Sequence, residues 1–466
     1  MALMTRIKEF FGVQDMTTGS PMRKLVQFSI PLLIGNLAQQ LYNTVDSIVV
    51  GKYIGDTALA AVGTAGPILN LLLVLFMGIA TGASILASQY FGAKDRDTLS
   101  RVVGTTIVLT VVSSLIVMVV GYFASPFLIR LMTPPEDVGT GAIIYLKIIF
   151  LGILGGGAYN ILSGVLRGIG DSIYPLFFLA LACILNIFLD ILFVARFNMG
   201  VAGVAWATII AQFISGALCF IRLISLREIV DVNGKTLRPD KALTLQLTRL
   251  GLPSGVTQAL FSMSAIVVQS LTNSLGTAMI AANVAVMRVD GFAMMPNFTY
   301  GTAATTYVGQ NIGARDVERA RKGMQELLKL AVGTSVALVI CILLFGRFLM
   351  GMFTNTDEVI RIGVSGLRWL SLGYIAFAVM CSLQGAMRGA GETMIPMWIS
   401  IFNTIIIRLP LAYLLAFLTR NEAWPHGQPV AIFSSLLISW VIGTCITVVA
   451  YRKGAWKRRL PADMRR

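Results

Sequence analysis

The chain has 466 residues, of which 56% are hydrophobic and only 13% charged, with a mean hydropathy of +0.79. A soluble globular domain carries roughly 25% charged residues, so the composition excludes a disordered, collagen-like or disulfide-framework protein and argues against a soluble enzyme. One histidine and five cysteines leave little material for metal or acid–base chemistry.

A helix needs roughly 20 apolar residues to cross about 30 Å of hydrocarbon. No Asp, Glu, Lys or Arg interrupts residues 57–93, 102–129, 197–221, 250–287, 291–314 or 427–451. With less pure stretches starting near Leu25, Ile143, Ile173, Leu330, Trp369 and Thr393, twelve transmembrane helices are predicted. They lie near 25–50, 58–83, 100–126, 141–164, 173–195, 200–223, 247–272, 280–307, 323–346, 362–386, 393–418 and 429–451. The expected fold class is an all-α polytopic membrane protein. Lys and Arg gather before the first span and in every second loop, from Arg6, Lys8, Arg23 and Lys24 to Arg452, Lys457 and Arg466. The opposite loops hold a few, such as Lys52, Arg130, Arg196, Arg347 and Arg420. That asymmetry predicts a cell-membrane protein with both termini cytoplasmic, and it assigns the net charge of +15 to anionic lipid headgroups rather than to nucleic acid.

Residues 1–24 lack the apolar stretch of a cleavable signal peptide. Ile7, Phe10 and Phe11 beside Arg6 and Lys8 suit either a short interfacial helix or a frayed tail. In the first span, Asn36, Gln39, Asn43 and Asp46 fall within about an 80° arc of a helix and form one polar stripe, with Tyr42 at its edge. Asn186 and Asp190 are spaced i, i+4 on the fifth span, and Thr208 and Gln212 repeat that spacing on the sixth. A weakly hydrophobic stretch, 225–246, with Asn233-Gly234 and Pro239, reads as a linker. The organisation expected is an N-terminal segment 1–24, a first bundle 25–224, the linker, a second bundle 247–451 and a basic tail 452–466.

The chain repeats itself. Gln89-Tyr-Phe-Gly92-Ala93-Lys94-Asp95 returns as Gln310-Asn-Ile-Gly313-Ala314-Arg315-Asp316. Arg167-Gly168-Ile-Gly170-Asp171 returns as Arg388-Gly389-Ala-Gly391-Glu392. Both pairs share one offset along the chain, and Pro31 and Pro253 match within one position of it. A constant offset over such a distance indicates internal duplication. Six spans per half give two similarly oriented six-helix bundles related by a pseudo-twofold along the membrane normal. Gly92 and Gly313 are expected to close helices in the left-handed conformation, Asp95 and Asp316 to cap the helices that follow, and Arg167 and Arg388 to pin their bends at the membrane face.

A carboxylate at mid-membrane costs about 2.5–3.5 kcal/mol on insertion scales, whereas the hydrogen bonds that glue a bundle are each worth about 0.6 kcal/mol. The converging stripes of Asp46, Asn186, Asp190 and Thr208 therefore predict a buried cation site. Its carboxylates would take a proton as desolvation raises their pKa, or ligate Na⁺ together with amide and hydroxyl oxygens. The duplicate lacks this stripe. Gln258, Phe261, Ala265 and Val268 stand where the first half has Asn36, Gln39, Asn43 and Asp46, and Leu411 stands for Asp190. In the second half Arg288 and Asp290 read either as a pair near the outer surface or, with Gln258, Met287 and Met294, as part of a substrate cleft; Arg408 is a third intramembrane charge. Met263, Met295, Met380 and Met387 add adaptable apolar surface. The cysteines, Cys183, Cys219, Cys341, Cys381 and Cys445, fall in apolar helices without metal-ligand spacing and read as buried thiols. Gly234-Lys235-Thr236 lacks the earlier P-loop glycine, so no ATP site is expected. Neither a cofactor, a resident metal nor an enzymatic constellation is predicted.

From Gly19-Ser-Pro to the twelfth span the chain resembles the multidrug and toxic compound extrusion (MATE) family, in the style of its bacterial DinF-like and MepA-like groups. The resemblance rests on Pro31 through Asp46, on the two Gln-x-x-Gly-Ala-Lys/Arg-Asp turns and on the two Arg-Gly-x-Gly-Asp/Glu turns. It implies a V-shaped pair of six-helix lobes that expels cationic amphiphilic compounds in exchange for H⁺ or Na⁺. The cation site implied falls on Asp46, Asn186, Asp190 and Thr208, with Asn160 beside them, and Pro31 matches a first-helix proline at which bending has been proposed. Some members place acidic residues on the seventh and tenth helices; this chain has none there. A lipid or lipid-linked saccharide flippase of the same superfamily is the alternative reading.

Overall fold

The computed structural model describes residues 12–132, 135–422, 424–458, 460 and 464, without the side chains of 42–49, 51 and 56. The proposed interfacial helix around Phe10 therefore lies outside the described residues. The chain is helical throughout its apolar stretches: α1 Pro21–Tyr53, α2 Asp56–Gly92, α3 Arg96–Leu131, α4 Glu136–Leu151, α5 Ile153–Gly168, α6 Ile173–Asp190, α7 Gly200–Ser225, α8 Lys241–Ser274, α9 Thr277–Gly313, α10 Val317–Gly351, α11 Asp357–Gly389, α12 Met394–Ile401, α13 Leu409–Leu418 and α14 Val430–Arg452. A π-helical stretch, Ile191–Arg196, continues α6, and another, Phe402–Arg408, joins α12 to α13. Among the described residues ten helices are long and apolar enough to cross a membrane, or eleven once α4 and α5, bent by 54°, count as one span. The span expected as one helix over 141–164 is thus broken at Gly152. Large apolar side chains such as Leu71, Phe123, Phe127 and Ile184 project outward, while Thr105, Thr106, Asn297 and Ser335 are buried. This is the reverse of a soluble protein and suits a surface in contact with lipid. Cys219 and Cys381 are buried as expected, but Cys341 and Cys445 face outward.

The duplication is visible in local geometry. After α2 the chain turns through Lys94 at φ 56°, and after α9 through Arg315 at φ 61°. Lys94 N–H donates to Phe91 O at 3.0 Å and Asp95 N–H to Tyr90 O at 3.1 Å; Arg315 and Asp316 make the same pair of bonds to Ile312 and Asn311 at 3.0 and 2.9 Å. These are Schellman closures, which place the left-handed residue just past the helix end. The left-handed position is therefore the basic residue two places after Gly92 or Gly313, not the glycine as expected. The caps are where the sequence put them: Asp95 accepts from Thr98 N–H at 3.0 Å and Asp316 from Arg319 N–H at 2.8 Å. The second pair of turns closes identically on Gly170 at φ 93° and Gly391 at φ 86°. Here Asp171 ties the bend down. Its wholly buried carboxylate lies 2.9 Å from Arg222 Nε of α7, whose guanidinium stacks 3.7 Å from the Tyr174 ring.

Small residues set the closest helix crossings. A Cβ at Gly164 would stand 2.8 Å from Ala80 O, and one at Gly168 2.5 Å from Ser84 O. Gly385 and Gly389, their counterparts in the duplicate, meet Gly301 and Thr305 in the same way. Close backbone approach through small residues is the main source of helix packing where lipid is as apolar as leucine.

Cα packing divides the chain into two compact units, residues 12–16 with Val26–Gly255 and Thr17–Leu25 with Val256–464. The stretch read as a linker, 225–246, is part of the first unit. Arg96 pairs with Asp231 at 2.8 Å and Arg101 pairs with Asp240. Asp231 N–H donates to Ser100 Oγ at 2.9 Å, and Val230, Leu243 and Leu247 join a core with Leu99, Val102 and Val103. The boundary accordingly falls within α8, just after Pro253.

Candidate functional site

In the first unit, the i, i+4 spacing on α6 turns Asn186 and Asp190 to the same buried side, both with 0% exposure, while Ile184 and Phe188 point outward. Facing them, α7 is drawn close by the glycines of α5: a Cβ at Gly155 would lie 2.6 Å from the Phe213 backbone, and one at Gly156 2.5 Å from Gln212 Oε1. Thr208, 8% exposed, lies against Asn186 of α6. With the Asn186 amide turned to suit its neighbours, Nδ2 donates to Asp190 Oδ2 at 3.0 Å and Oδ1 accepts from the Thr208 backbone N–H at 3.3 Å. The Thr208 hydroxyl is buried and finds no hydrogen-bond partner among the described residues. Asp190 is also the last α-helical residue before the π-helical stretch Ile191–Arg196, a distortion that recurs at functional sites. The result is an oxygen-rich enclosure of carboxylate, amide and hydroxyl, chemically able to hold a proton or a desolvated alkali cation.

Three of the predicted residues, Asn186, Asp190 and Thr208, are thus brought together. Asn160 is half-buried and folds back on its own helix, donating to Gly156 O at 2.8 Å. On α1, Asn36 is half-buried and Gln39 exposed; the side chains of Tyr42, Asn43 and Asp46 lie outside the described residues. Pro31 is buried within α1.

Of the charges in the second unit, Arg288 and Asp290 do not form the expected pair. Arg288 is exposed, and no ion pair joins it to Asp290 among the described residues. Asp290 turns inward instead, accepting a hydrogen bond from Tyr374 Oη of α11 at 2.8 Å. Met294 is 9% exposed and Met287 56%, and Gln258 is exposed on α8. The i, i+2 relation of Arg288 and Asp290 is the signal that separates them, because residues two apart point to different sides of a helix. The role of Tyr374 has no signature in the sequence.

The family model described as MatE matches the chain twice, over residues 31–192 and 253–414. The chain belongs to the MATE family. The two matches are of equal length and start at Pro31 and Pro253, so each MATE repeat carries one half of the duplication. Among curated relatives, the chain is 29% identical to the probable multidrug resistance protein YpnP of Bacillus subtilis, covering 95% of this chain and 97% of that one. It is 26% identical to the probable multidrug resistance protein NorM of Thermotoga maritima, covering 94% and 93%. A solved outward-facing multidrug resistance MATE transporter of the MOP superfamily superposes with a TM-score of 0.88 at 25% identity, over 96% of this chain and 99% of that one. The protein is accordingly a polytopic membrane transporter rather than an enzyme.

Proposed function

We propose that this MATE protein is a cation-coupled antiporter that exports cationic amphiphilic compounds in exchange for H⁺ or Na⁺ by alternating access. The observation that carries the reading is the enclosure of Asp190. A carboxylate without solvent exposure is bridged by Asn186 to α7 beside a hydroxyl that has no partner among the described residues. A buried ionisable group within a span is a functional site by default, because as mere glue it is too costly. We assign Asp46 to the same site, from its place on the α1 stripe, and Asn160 to its margin. Cation uptake there would shift α1, with Pro31 as the bend, α6 and α7, and lower the affinity for cargo, the two ligands being coupled reciprocally. The basic loops support an orientation with both termini in the cytoplasm of a cell-membrane protein.

The test is efflux of ethidium from proteoliposomes with proton and sodium gradients imposed separately. Wild-type protein should respond to at least one gradient, and Asp46→Asn should lose that response while remaining folded in the membrane. Unchanged gradient-driven efflux by Asp46→Asn removes the mechanism. Movement of lipid headgroups in place of ethidium would favour a flippase.

A further inference from the structure

At the end of the first unit that carries the basic loops, a cavity of about 430 Å³ lies between the start of α3 and the loop 231–240. The chain neutralises part of its lining. Arg101 pairs with Asp240, Arg96 pairs with Asp231 at 2.8 Å, and Ser100 Oγ accepts the Asp231 N–H at 2.9 Å. The loop is held close to α3, because Gly104 leaves room for Thr236 O where any Cβ would collide with it. Three charged side chains in the lining are left over. Asp97 on α3, and Lys235 and Arg238 on the loop, are exposed and have no ion pair or side-chain hydrogen bond among the described residues. The cavity thus offers two cations on one wall and a carboxylate on the other, with no ion pair between them. Apolar surface begins at its edge. Val112 and Val119 follow Arg101 on α3 by about three and five turns, so they share its face, and both are exposed. On α8, which starts directly after Asp240, Leu245 and Leu252 are spaced i, i+7 and are exposed as well.

We propose that this cavity binds the phosphoethanolamine headgroup of a membrane phospholipid. Lys235 and Arg238 take the phosphate, since ammonium and guanidinium groups make charge-assisted hydrogen bonds to phosphate oxygens. Asp97 takes the ammonium, and the acyl chains lie along the exposed apolar faces of α3 and α8. Basic pockets beside membrane helices hold headgroups in this way. Asp97 sets the choice of lipid: ethanolamine brings it a positive charge, phosphoglycerol only hydroxyls, and inorganic phosphate nothing. The bound headgroup joins the loop to α3 as a further clamp beside the Arg96–Asp231 and Arg101–Asp240 pairs.

The full-length protein, delipidated in detergent, is mixed in turn with dioctanoyl phosphatidylethanolamine, dioctanoyl phosphatidylglycerol and inorganic phosphate. Thermal unfolding and hydrogen–deuterium exchange of residues 231–240 are then followed. Saturating phosphatidylethanolamine should raise the unfolding temperature of the wild type by about 2–4 °C and slow exchange in the loop. Phosphatidylglycerol should do so less, and inorganic phosphate not at all. Lys235→Gln/Arg238→Gln should lose the response to both lipids, whereas Lys235→Arg/Arg238→Lys, which keeps both charges, should retain it. Asp97→Asn should bring the phosphatidylethanolamine response down to that of phosphatidylglycerol. An undiminished lipid response in Lys235→Gln/Arg238→Gln overturns the site. Equal responses to the two lipids in the wild type overturn the assignment of ethanolamine to Asp97, and protection by inorganic phosphate as strong as by lipid overturns the assignment to a membrane lipid.

Discussion

Asp190 and Thr208 illustrate how differently two buried polar groups behave at the scale of one residue. The Asp190 carboxylate is bonded by Asn186, whereas the Thr208 hydroxyl has no partner among the described residues. A buried donor without a partner costs about 1–3 kcal/mol, so Thr208→Val, equal in shape, should leave the thermal unfolding temperature unchanged or slightly higher. If the hydroxyl ligates the coupling cation, the same substitution should weaken cation-driven efflux about tenfold, equivalent to about 1.4 kcal/mol. Lower stability together with unchanged coupling would assign Thr208 to packing. The left-handed residues make a second case. Lys94 and Arg315 occupy a conformation that costs side-chain-bearing residues about 1–2 kcal/mol and glycine little. Lys94→Gly and Arg315→Gly should each raise stability by up to about 1 kcal/mol in thermal denaturation.

Among the elements, caps and crossings carry the specificity that lipid cannot supply. Asp95 is held below its ordinary carboxylate pKa of 3.8 by the hydrogen bonds that Thr98 donates. A depressed carboxylate stabilises the fold above its ordinary pKa and loses that stabilisation as pH falls through the lowered value. Asp95→Ala should therefore cost about 1 kcal/mol at neutral pH, and the gap from wild type should close in strong acid. The crossings are less forgiving. Gly168→Val sets a side chain against Ser84 O, 2.5 Å from the ideal Cβ, and Gly389→Val does the same at Thr305. Each should cost about 1–3 kcal/mol of stability and reduce the yield of folded protein, with similar losses in the two variants because the crossings repeat.

Across the whole molecule, the spans are legible in the sequence because a bilayer asks for little more than length and apolarity. The predicted segment 200–223 against Gly200–Ser225, and 429–451 against Val430–Arg452, differ only at their ends. The duplication is legible because turns constrain sequence. Gly55 at φ 110° and Gly276 at φ 96°, related by the same offset as the repeated turns, extend it to a loop that carries neither motif. What stays hidden depends on three-dimensional neighbours. The break at Gly152 comes from α5 packing its glycine run on α7, a contact invisible in a one-dimensional apolar run. Glycine is the expected left-handed residue at the α2 and α9 ends because it tolerates that conformation, but the hydrogen bonds of Asp95 and Asp316 place it two positions later. Tyr374 reaches Asp290 from a helix far along the chain, which no local spacing reports. Asn186, Asp190 and Thr208 stand out because each sits at an i, i+4 polar pair on an otherwise apolar helix.

Linkage offers the most direct test of the proposed ion-coupled export through the Asp190 enclosure: the dissociation constant of ethidium, read by fluorescence anisotropy on purified protein, as proton and sodium concentrations are varied in turn. One of the two cations should weaken ethidium binding by at least about fivefold, a coupling of about 1 kcal/mol, and Asp190→Asn should abolish that dependence without abolishing ethidium binding. An ethidium affinity indifferent to both cations in the wild type, or equally sensitive in Asp190→Asn, would contradict the account.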